Sequence, residues 1–385
     1  MDTALAQITQ LAASADEVAR QNLMTALHKL AYSMESSNDT TRRFGHMTLQ
    51  PAAIKIGVDL GIFKHLVEVG GVVTAKKLSL QTDSDYQLMT RILRYLSTIN
   101  AVDEVSQEQY SANHVTKNLA EKVTEAGINH YFGTVGPQYL ALPLFLKKTS
   151  YQNPTNELHT AFQDAWETPL HAFAWFGEHP DHLAPFNDYM ALRREPQLSW
   201  LTVYPVGEEV QDISPQRPLY VNVGGGVGHQ CAQFKERYPD VPGRVILQDL
   251  PHSIAEALKT PGVENLVHNF FDPQPIKGAK FYYMRGVLHN HPPHKVQKLL
   301  ENTKSAMAPD SILLIDEMIL PDKGVNANAA AIDMTMMTAL AAMERTEAQW
   351  GETLKDAGLE IVRVYTYNPL YYESVMDVRL LKNAQ

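Results

Sequence analysis

The feature that most constrains the fold of this chain is a glycine-rich turn between an expected strand and an expected helix. The apolar run at 219–223 leads directly into residues 224–228, Gly-Gly-Gly-Val-Gly, and a helical pattern follows over 230–238. Glycines there let backbone amides approach a ligand, and the helix N-terminus adds the positive end of its dipole. The next expected strand ends at Asp249, where a carboxylate can accept the hydroxyls of a ribose. This glycine loop (224–228) predicts a site for a nucleoside-containing ligand.

Residues from 218 onward alternate between short apolar runs and helical patterns. Alternation of this kind predicts a parallel, doubly wound sheet with helices on both faces. The last two expected strands have no helix between them, so they predict an antiparallel pair at the edge of the sheet. We assign residues 206–385 to this domain.

Composition excludes several classes of protein. The 385 residues carry 33 Lys and Arg against 43 Asp and Glu, a formal charge of −10, whereas nucleic-acid binding normally needs a basic stripe. A single cysteine cannot form an intrachain disulfide, and no apolar run approaches the roughly 18 residues of a membrane helix. The opening residues lack the basic and apolar segments of a secretory signal. We therefore expect a cytoplasmic protein with neither a nucleic-acid nor a membrane partner.

Residues 1–115 are predicted to form a helical and winged-helix region. Over residues 3–33 apolar side chains recur at mostly helical spacing, and they pack either on the rest of the chain or on a second subunit. Residues 48–112 read as three helices and a short strand pair, a winged helix for which a scaffold or dimer role fits this acidic chain better than DNA binding. Residues 116–205 are rich in aromatics, which fill a core or line an apolar pocket, and we assign them to a substrate-pocket segment.

The spacing of the glycine loop distinguishes between two nucleoside ligands. Dinucleotide sites prefer Gly-x-Gly-x-x-Gly, whereas Gly-x-Gly-x-Gly resembles the first motif of class I S-adenosylmethionine-dependent methyltransferases. Further motifs resemble, in the same order, those of fungal and plant small-molecule O-methyltransferases: VNVGGGVGH, RVILQDLP, KFYYMRGVLHNHPPHK, LLIDEMILP and MERTEAQW. The resemblance implies an α/β Rossmann-like class I methyltransferase domain plus an N-terminal all-α/winged-helix dimerisation domain. It also implies a homodimer that binds S-adenosylmethionine or S-adenosylhomocysteine.

The resemblance assigns cofactor contacts residue by residue. The glycine loop lies under the methionine part of the cofactor in this family, Asp249 binds its ribose, and Asn269 meets the adenine amino group. Arg285 occupies the position of a basic or polar cofactor contact. The full set of predicted cofactor residues is Gly224, Gly225, Gly226, Asp249, Leu250, Asn269, Phe270 and Arg285.

The resemblance also implies a general base. His289 occupies the position of the residue that removes the proton of the acceptor hydroxyl, and Glu317 and Glu344 match the acidic groups that hold its imidazole. A phenol, with a pKa of about 10, is a poor nucleophile until a positioned base takes its proton. The histidines at 289, 291 and 294 resemble a metal-binding cluster, but no cysteine or acidic ligand lies near them in sequence, so we expect no metal.

Three family aspartates are asparagines in this chain: Asn222, Asn269 and Asn290, the last counted among the catalytic candidates. Each asparagine keeps a carbonyl acceptor and loses a negative charge, which weakens the attraction for the cationic groups of the cofactor. His291 replaces a family tryptophan. These changes indicate a retuned site.

A branch of the fungal family catalyses pericyclic reactions that close rings in polyketide-derived pyridones, and this sequence resembles that branch. In the branch a histidine and an arginine match His130 and Arg194. Donors from these residues or from His289 would stabilise a carbonyl that becomes electron-rich in the transition state. The residues alone are equally consistent with His130 as an ordinary hydrogen-bonded interior histidine and with Arg194 as a surface ion-pair partner. Our first hypothesis for the function is a pericyclase of fungal secondary metabolism that dehydrates or cyclises a small-molecule pyridone. The alternative is an O-methyltransferase in which His289 is the general base.

Overall fold

The computed structural model describes residues 1–193, 198–211 and 213–381. It divides the chain into two compact units, Met1–Thr134 with Pro180–Arg193, and Val135–His179 with Arg194–Gln385. The three-part division expected from the sequence stays a prediction. No helix in the described ranges is long and apolar enough to cross a membrane.

The helices are, in chain order, α1 Asp2–Ser14, α2 Glu17–Ser33, α3 Ser37–Gly45, α4 Leu49–Asp59, α5 Ile62–Val69, α6 Ala75–Gln81, α7 Tyr86–Thr98, α8 His114–Ala120, α9 Lys122–His130, α10 Gly136–Lys148, α11 Ala161–Trp166, α12 Ala172–Glu178, α13 Pro180–Leu192, α14 Val206–Glu209, α15 His229–Arg237, α16 Pro251–Ala255, α17 Pro293–Lys304, α18 Ala327–Leu340 and α19 Glu347–Asp356. The strands are β1 Val73–Thr74, β2 Asp103–Ser106, β3 Gln109–Ser111, β4 Pro218–Val223, β5 Arg244–Asp249, β6 Val263–Val267, β7 Phe281–Arg285, β8 Ile312–Leu320, β9 Arg345–Thr346, β10 Leu359–Asn368 and β11 Glu373–Leu380. Shorter helical turns cover Tyr131–Val135, Trp200–Thr202 and Leu288–Asn290.

The first unit contains the predicted winged helix. Helices α4 to α7 surround an apolar core that includes Phe63 and Leu93, and β1, β3 and β2 form a small antiparallel sheet beside it. Gly57 is required for this packing, since a Cβ there would lie 2.5 Å from the Phe63 ring. The Asp85 side chain accepts the Leu88 amide at 2.8 Å and so fixes the start of α7.

Helices α1, α2 and α3 bury none of their residues in this single chain. Their ends are nevertheless well defined, because Asp16 caps α2 and Ser36 caps α3. Leu11, Leu30 and Phe44 are each more than half exposed. The structure therefore does not show these helices packed on the rest of the same chain, which was one of the two alternatives left open by the sequence.

The second unit is built on a mixed sheet with strand order β10-β11-β8-β7-β4-β5-β6, and β9 pairs with β8. Strands β4 to β8 pair in parallel, whereas β10 and β11 are antiparallel, as the sequence predicts. Successive side chains of a strand enter different cores: Val221 packs in one apolar cluster and Tyr220 in another. Burial on both sides fixes the register of the central strands, and with it the positions of the residues where they end.

Candidate active site

The glycine loop leaves β4 in conformations that favour glycine. Gly224 and Gly226 have φ of 68° and 60°, in the left-handed region. A Cβ on Gly225 would lie 2.5 Å from Asn222 Nδ2, so the loop packs tightly against the strand side chains beneath it. A Cβ on Gly226 would meet nothing within 4 Å. The loop is therefore closed towards the sheet and open on its other side, where a ligand can approach the backbone.

Asp249 lies beside this loop, as the sequence predicts. Its Oδ2 accepts the Gly226 amide at 2.7 Å, and its Oδ1 accepts the Leu250 amide at the same distance. Each carboxylate oxygen can accept a further bond. The structure thus brings the glycine loop and the expected ribose carboxylate together.

The remaining predicted cofactor residues flank this pair. A Cβ on Gly224 would lie 3.3 Å from Phe270 Cε1, so the Phe270 ring borders the glycine loop. Asn269 is exposed, and its Oδ1 accepts the Phe271 amide at 3.1 Å. Leu250 presents an exposed apolar side chain next to Asp249. A carboxylate with apolar neighbours fits a ribose and an adjoining base.

Arg285 is held by a buried acidic network. Its Nε lies 3.6 Å from Asp316, whose carboxylate also accepts the hydroxyls of Tyr283 and Tyr367. Burial raises the pKa of Asp316, and the Arg285 charge acts in the opposite direction. Arg285 therefore has an internal partner, and its contact with a cofactor stays a prediction.

A second group of predicted residues meets at the catalytic turn, the helical turn Leu288–Asn290. Glu317 Oε1 accepts three backbone amides that lead into this turn, from Val287 at 3.1 Å, Leu288 at 2.9 Å and His289 at 3.3 Å. Burial is the main cause that raises the pKa of Glu317 to about 7, although His289 and these amides oppose it. A single buried carboxylate from β8 thus fixes the backbone of the turn.

The His289 imidazole is held by the other predicted glutamate. Its Nδ1 lies 2.7 Å from Glu344 Oε1 and 3.9 Å from Glu317 Oε2, and both carboxylates are buried. We call His289, Glu317 and Glu344 the base cluster. An ionised carboxylate only accepts, so the proton of a neutral imidazole lies on Nδ1 and Nε2 carries the lone pair. The geometry is that of an oriented general base.

Asn290 and His291 contribute to the same segment. Asn290 Nδ2 donates to the Gly286 carbonyl at 2.8 Å and so closes the turn. His291 packs edge-on against Phe270 and Phe271, and burial lowers its pKa to about 4, so that it is neutral. The structure gives Asn290 a local supporting contact, and its catalytic role stays a prediction, as does the expected absence of a metal.

His130 ends α9 in the first unit. It is buried among the rings of Tyr131, Phe186 and Tyr189, with centroids 5.2–6.4 Å away. Burial, with smaller contributions from neighbouring positive charges, lowers the pKa of His130 to about 4, which keeps it neutral. Arg194 lies outside the described residues.

Two further charged residues near the base cluster, Arg345 and Asp333, are not among the site residues predicted from the sequence. Asp333 Oδ1 accepts the Glu344 amide at 2.8 Å, and Arg345 is buried directly after Glu344. Arg345 belongs to the motif MERTEAQW, so its position was visible in the sequence. Nothing in the sequence places Asp333 near Glu344, because the contact depends on the path of the chain after α18.

Comparison with known proteins defines the class. Residues 156–360 match the O-methyltransferase domain, and residues 43–122 match the O-methyltransferase dimerisation domain. The chain is 40% identical over 361 residues to the O-methyltransferase ucdC of Aspergillus ustus, which covers 93% of this chain and 94% of the relative. It is 37% identical to the O-methyltransferase lepI of Aspergillus flavus over 365 aligned residues, which are 94% of this chain and 94% of the relative.

Solved structures agree with these matches. A structure described as a pericyclic reaction enzyme and one of LepI in complex with SAM each have a TM-score of 0.88 and 36% identity over 98% of both chains. The fold is thus a class I methyltransferase fold with an N-terminal dimerisation domain. The chain belongs to the O-methyltransferase family, whose members are enzymes that use S-adenosylmethionine. The predicted fold class, cofactor and likeness to the fungal branch are confirmed.

Proposed function

We propose that this protein transfers a methyl group from S-adenosylmethionine to a hydroxyl of a small molecule, with His289 as the general base. The observation that carries the proposal is the 2.7 Å contact between His289 Nδ1 and the buried Glu344. A ring closure without net proton transfer needs no such base, and of the reactions considered only methyl transfer and dehydration use one. The proposal therefore reverses the preference drawn from the sequence, in which the pericyclase came first.

The residues of the base cluster divide the chemistry between them. His289 Nε2 accepts the proton of the acceptor hydroxyl, which makes the oxygen nucleophilic. Glu344 stabilises the imidazolium that results, and Glu317 fixes the backbone that carries the ring. The cofactor, when bound, supplies an electrophilic methyl group. We further propose that the glycine loop, Asp249, Leu250, Asn269 and Phe270 bind it.

The test is transfer of a labelled methyl group from S-adenosylmethionine to a panel of phenols and hydroxylated polyketides. His289→Ala should lower the rate by about 10²–10⁴-fold, the usual contribution of a general base. His294→Ala is the matched control, because His294 is exposed on α17 and should keep the wild-type rate. A His289→Ala variant that transfers methyl as fast as the wild type would exclude the proposed base.

A second candidate is the pericyclase preferred from the sequence. Two observations favour it: the 36% identity to a pericyclic reaction enzyme, and a His130 that is buried and kept neutral. A neutral imidazole N–H can donate to a carbonyl without transferring a proton. With a pyridone alcohol as substrate, this function predicts an isomer or a dehydrated product without added methyl mass, and a slower or misdirected reaction in His130→Ala.

We also propose a homodimer. Helices α1, α2 and α3 bury no residue in the single chain. Residues 43–122 match the dimerisation domain of the O-methyltransferase family. Exposed apolar side chains such as Leu11, Leu30 and Phe44 on these helices are typical of a surface that a partner covers. Light scattering should give twice the mass of one chain, and a monomer at micromolar concentration would contradict the proposal.

A further inference from the structure

Arg345 is a cation in the interior of the second unit. It begins β9, where it pairs with Ile319 of β8, and it is 2% exposed. Its guanidinium lies 4.9 Å from the ring centroid of Trp350 on α19, and Nη1 donates to the Met343 carbonyl at 3.3 Å. Within the described ranges no carboxylate oxygen lies within 4.0 Å of it. A buried charge without a contacting counter-ion is costly unless a field of opposite sign compensates for it.

That field comes from three carboxyl groups. Burial lowers the pKa of Arg345, and Glu317, Glu344 and Asp333 raise it. Glu317 lies on β8, Glu344 precedes Arg345 in the chain, and Asp333 lies on α18 with its Oδ1 on the Glu344 amide. Glu317 and Glu344 are also the carboxylates that hold His289. Arg345 directly follows Glu344 in the chain and pairs with Ile319, two residues beyond Glu317 on β8, so it is a buried cation within electrostatic range of the base cluster.

Other titratable groups act on this region: His291 lies near His289, and His171 and the Lys295–Glu157 ion pair lie near His291. His289 is the base itself, and burial lowers the pKa of His291 to about 4, so His291 adds no charge at neutral pH. Fully ionised, the three carboxyl groups carry three negative charges against the single positive charge of Arg345. The proton affinity of the cluster should therefore depend strongly on that one cation.

We propose that Arg345 is a positioning residue for the base, and that its buried charge lowers the pH at which the base cluster as a whole takes up a proton, so that the cluster holds the catalytic turn and the imidazole over a wider pH range. This inference rests on the proposed function. Ionised Glu317 accepts three amides of the turn, and ionised Glu344 accepts from His289 Nδ1. A protonated carboxyl group would accept these bonds more weakly, and the ring would lose its fixed orientation.

The direction of the effect follows from charge alone. Removing a nearby positive charge raises the proton affinity of every group in the cluster, and removing a negative charge lowers it. Arg345→Met keeps an apolar chain against Trp350 and removes the cation. Asp333→Asn keeps an oxygen for the Glu344 amide and removes an anion. The two variants should therefore shift the acid limb of the pH profile in opposite directions, which a merely structural role would not do.

The experiment measures kcat/KM for methyl transfer against pH in the full-length protein. Arg345→Met should move the acid limb up by about one pH unit and Asp333→Asn should move it down, while Arg345→Lys should restore the wild-type profile. Arg363→Met is the matched control, because Arg363 stacks on Tyr365 from the exposed side of β10 and should leave the profile unchanged. Shifts of the same sign, or no shift in either variant, would overturn the proposal.

A second readout keeps the inference separate from the proposed function. The imidazole of His289 can be titrated by NMR in protein labelled at histidine, with His289→Ala to assign its signal. Its apparent pKa should rise in Arg345→Met and fall in Asp333→Asn even if no acceptor is methylated. If Arg345→Met does not fold, Asp333→Asn and Arg345→Lys still decide, since an unchanged titration in Asp333→Asn would overturn the inference.

Discussion

The glycine loop and the catalytic turn follow two strands that pair with each other, β4 and β7, yet different groups hold them in place. The loop keeps its shape through backbone conformations that favour glycine and through the Gly226 amide on Asp249. Every residue of the turn carries a side chain, and its backbone is held in place by Glu317, which reaches it from β8. One half of the site is shaped by the absence of side chains and the other by buried charge.

This contrast implies different sensitivities. The loop should tolerate small changes of charge around it and respond to added atoms, because its neighbours already touch the backbone. The turn should tolerate isosteric changes of its apolar neighbours and respond to the loss of a charge.

Removing the Glu317 side chain should have the largest effect on folding. Glu317→Ala leaves three buried amides without their acceptor and removes the partner charge of His289, so we expect unfolding free energy to fall by about 3–5 kcal/mol. Glu317→Gln keeps an oxygen for the amides and should lose less. Urea unfolding measures both variants, and equal losses would show that the hydrogen bonds to the three amides do not stabilise the turn.

Removing Asp249 should affect ligand binding more than folding. Asp249→Ala should raise the dissociation constant of S-adenosylhomocysteine by about 10–100-fold, about 1.4–2.7 kcal/mol, because the proposed ribose contacts are lost. Calorimetry with Asp240→Ala, an exposed aspartate beyond α15, provides the control. Equal affinities for the two variants would remove Asp249 from the cofactor site.

Two neighbouring glycines of the loop distinguish steric from conformational effects. Gly225→Ala adds a Cβ 2.5 Å from both Asn222 Nδ2 and Leu247 Cδ1, so it should lower stability by about 3 kcal/mol, the upper end of the usual cost of overpacking. Gly226→Ala meets no atom within 4 Å, so its cost is that of the positive φ alone, about 1–2 kcal/mol. Thermal unfolding should therefore rank Gly225→Ala below Gly226→Ala, and the reverse order would contradict a loop held by packing.

The same contrast explains what the sequence could predict. The glycine loop, Asp249 and the alternating strands are local patterns, since each depends on residues close together in the chain. His289, Glu317 and Glu344 were predicted only through the family resemblance, because 55 residues separate His289 from Glu344 and no local pattern joins them. Arg345 and Asp333 were missed for that reason: their role depends on a field between elements, which residue spacing does not encode.

The smallest expected effect is on how the free energy of unfolding depends on pH. Burial raises the pKa of Glu317 from 4.5 to about 7, so the folded protein binds this proton more tightly than the unfolded chain does. The stability due to this group is therefore full below pH 4.5 and is lost as the pH rises through about 7. Because His289 and Glu344 share these protons, the slope belongs to the base cluster as a whole.

Urea unfolding between pH 4.5 and 8 tests this expectation. The wild type should lose stability relative to Glu317→Gln by at most about 1.4 kcal/mol per pH unit. Glu264→Gln is the control, because its exposed ion pair with Arg244 lowers the pKa of Glu264 and places its titration below this window. Parallel curves for the wild type and Glu317→Gln would mean that Glu317 stays ionised throughout, and that the turn is held by a permanent charge.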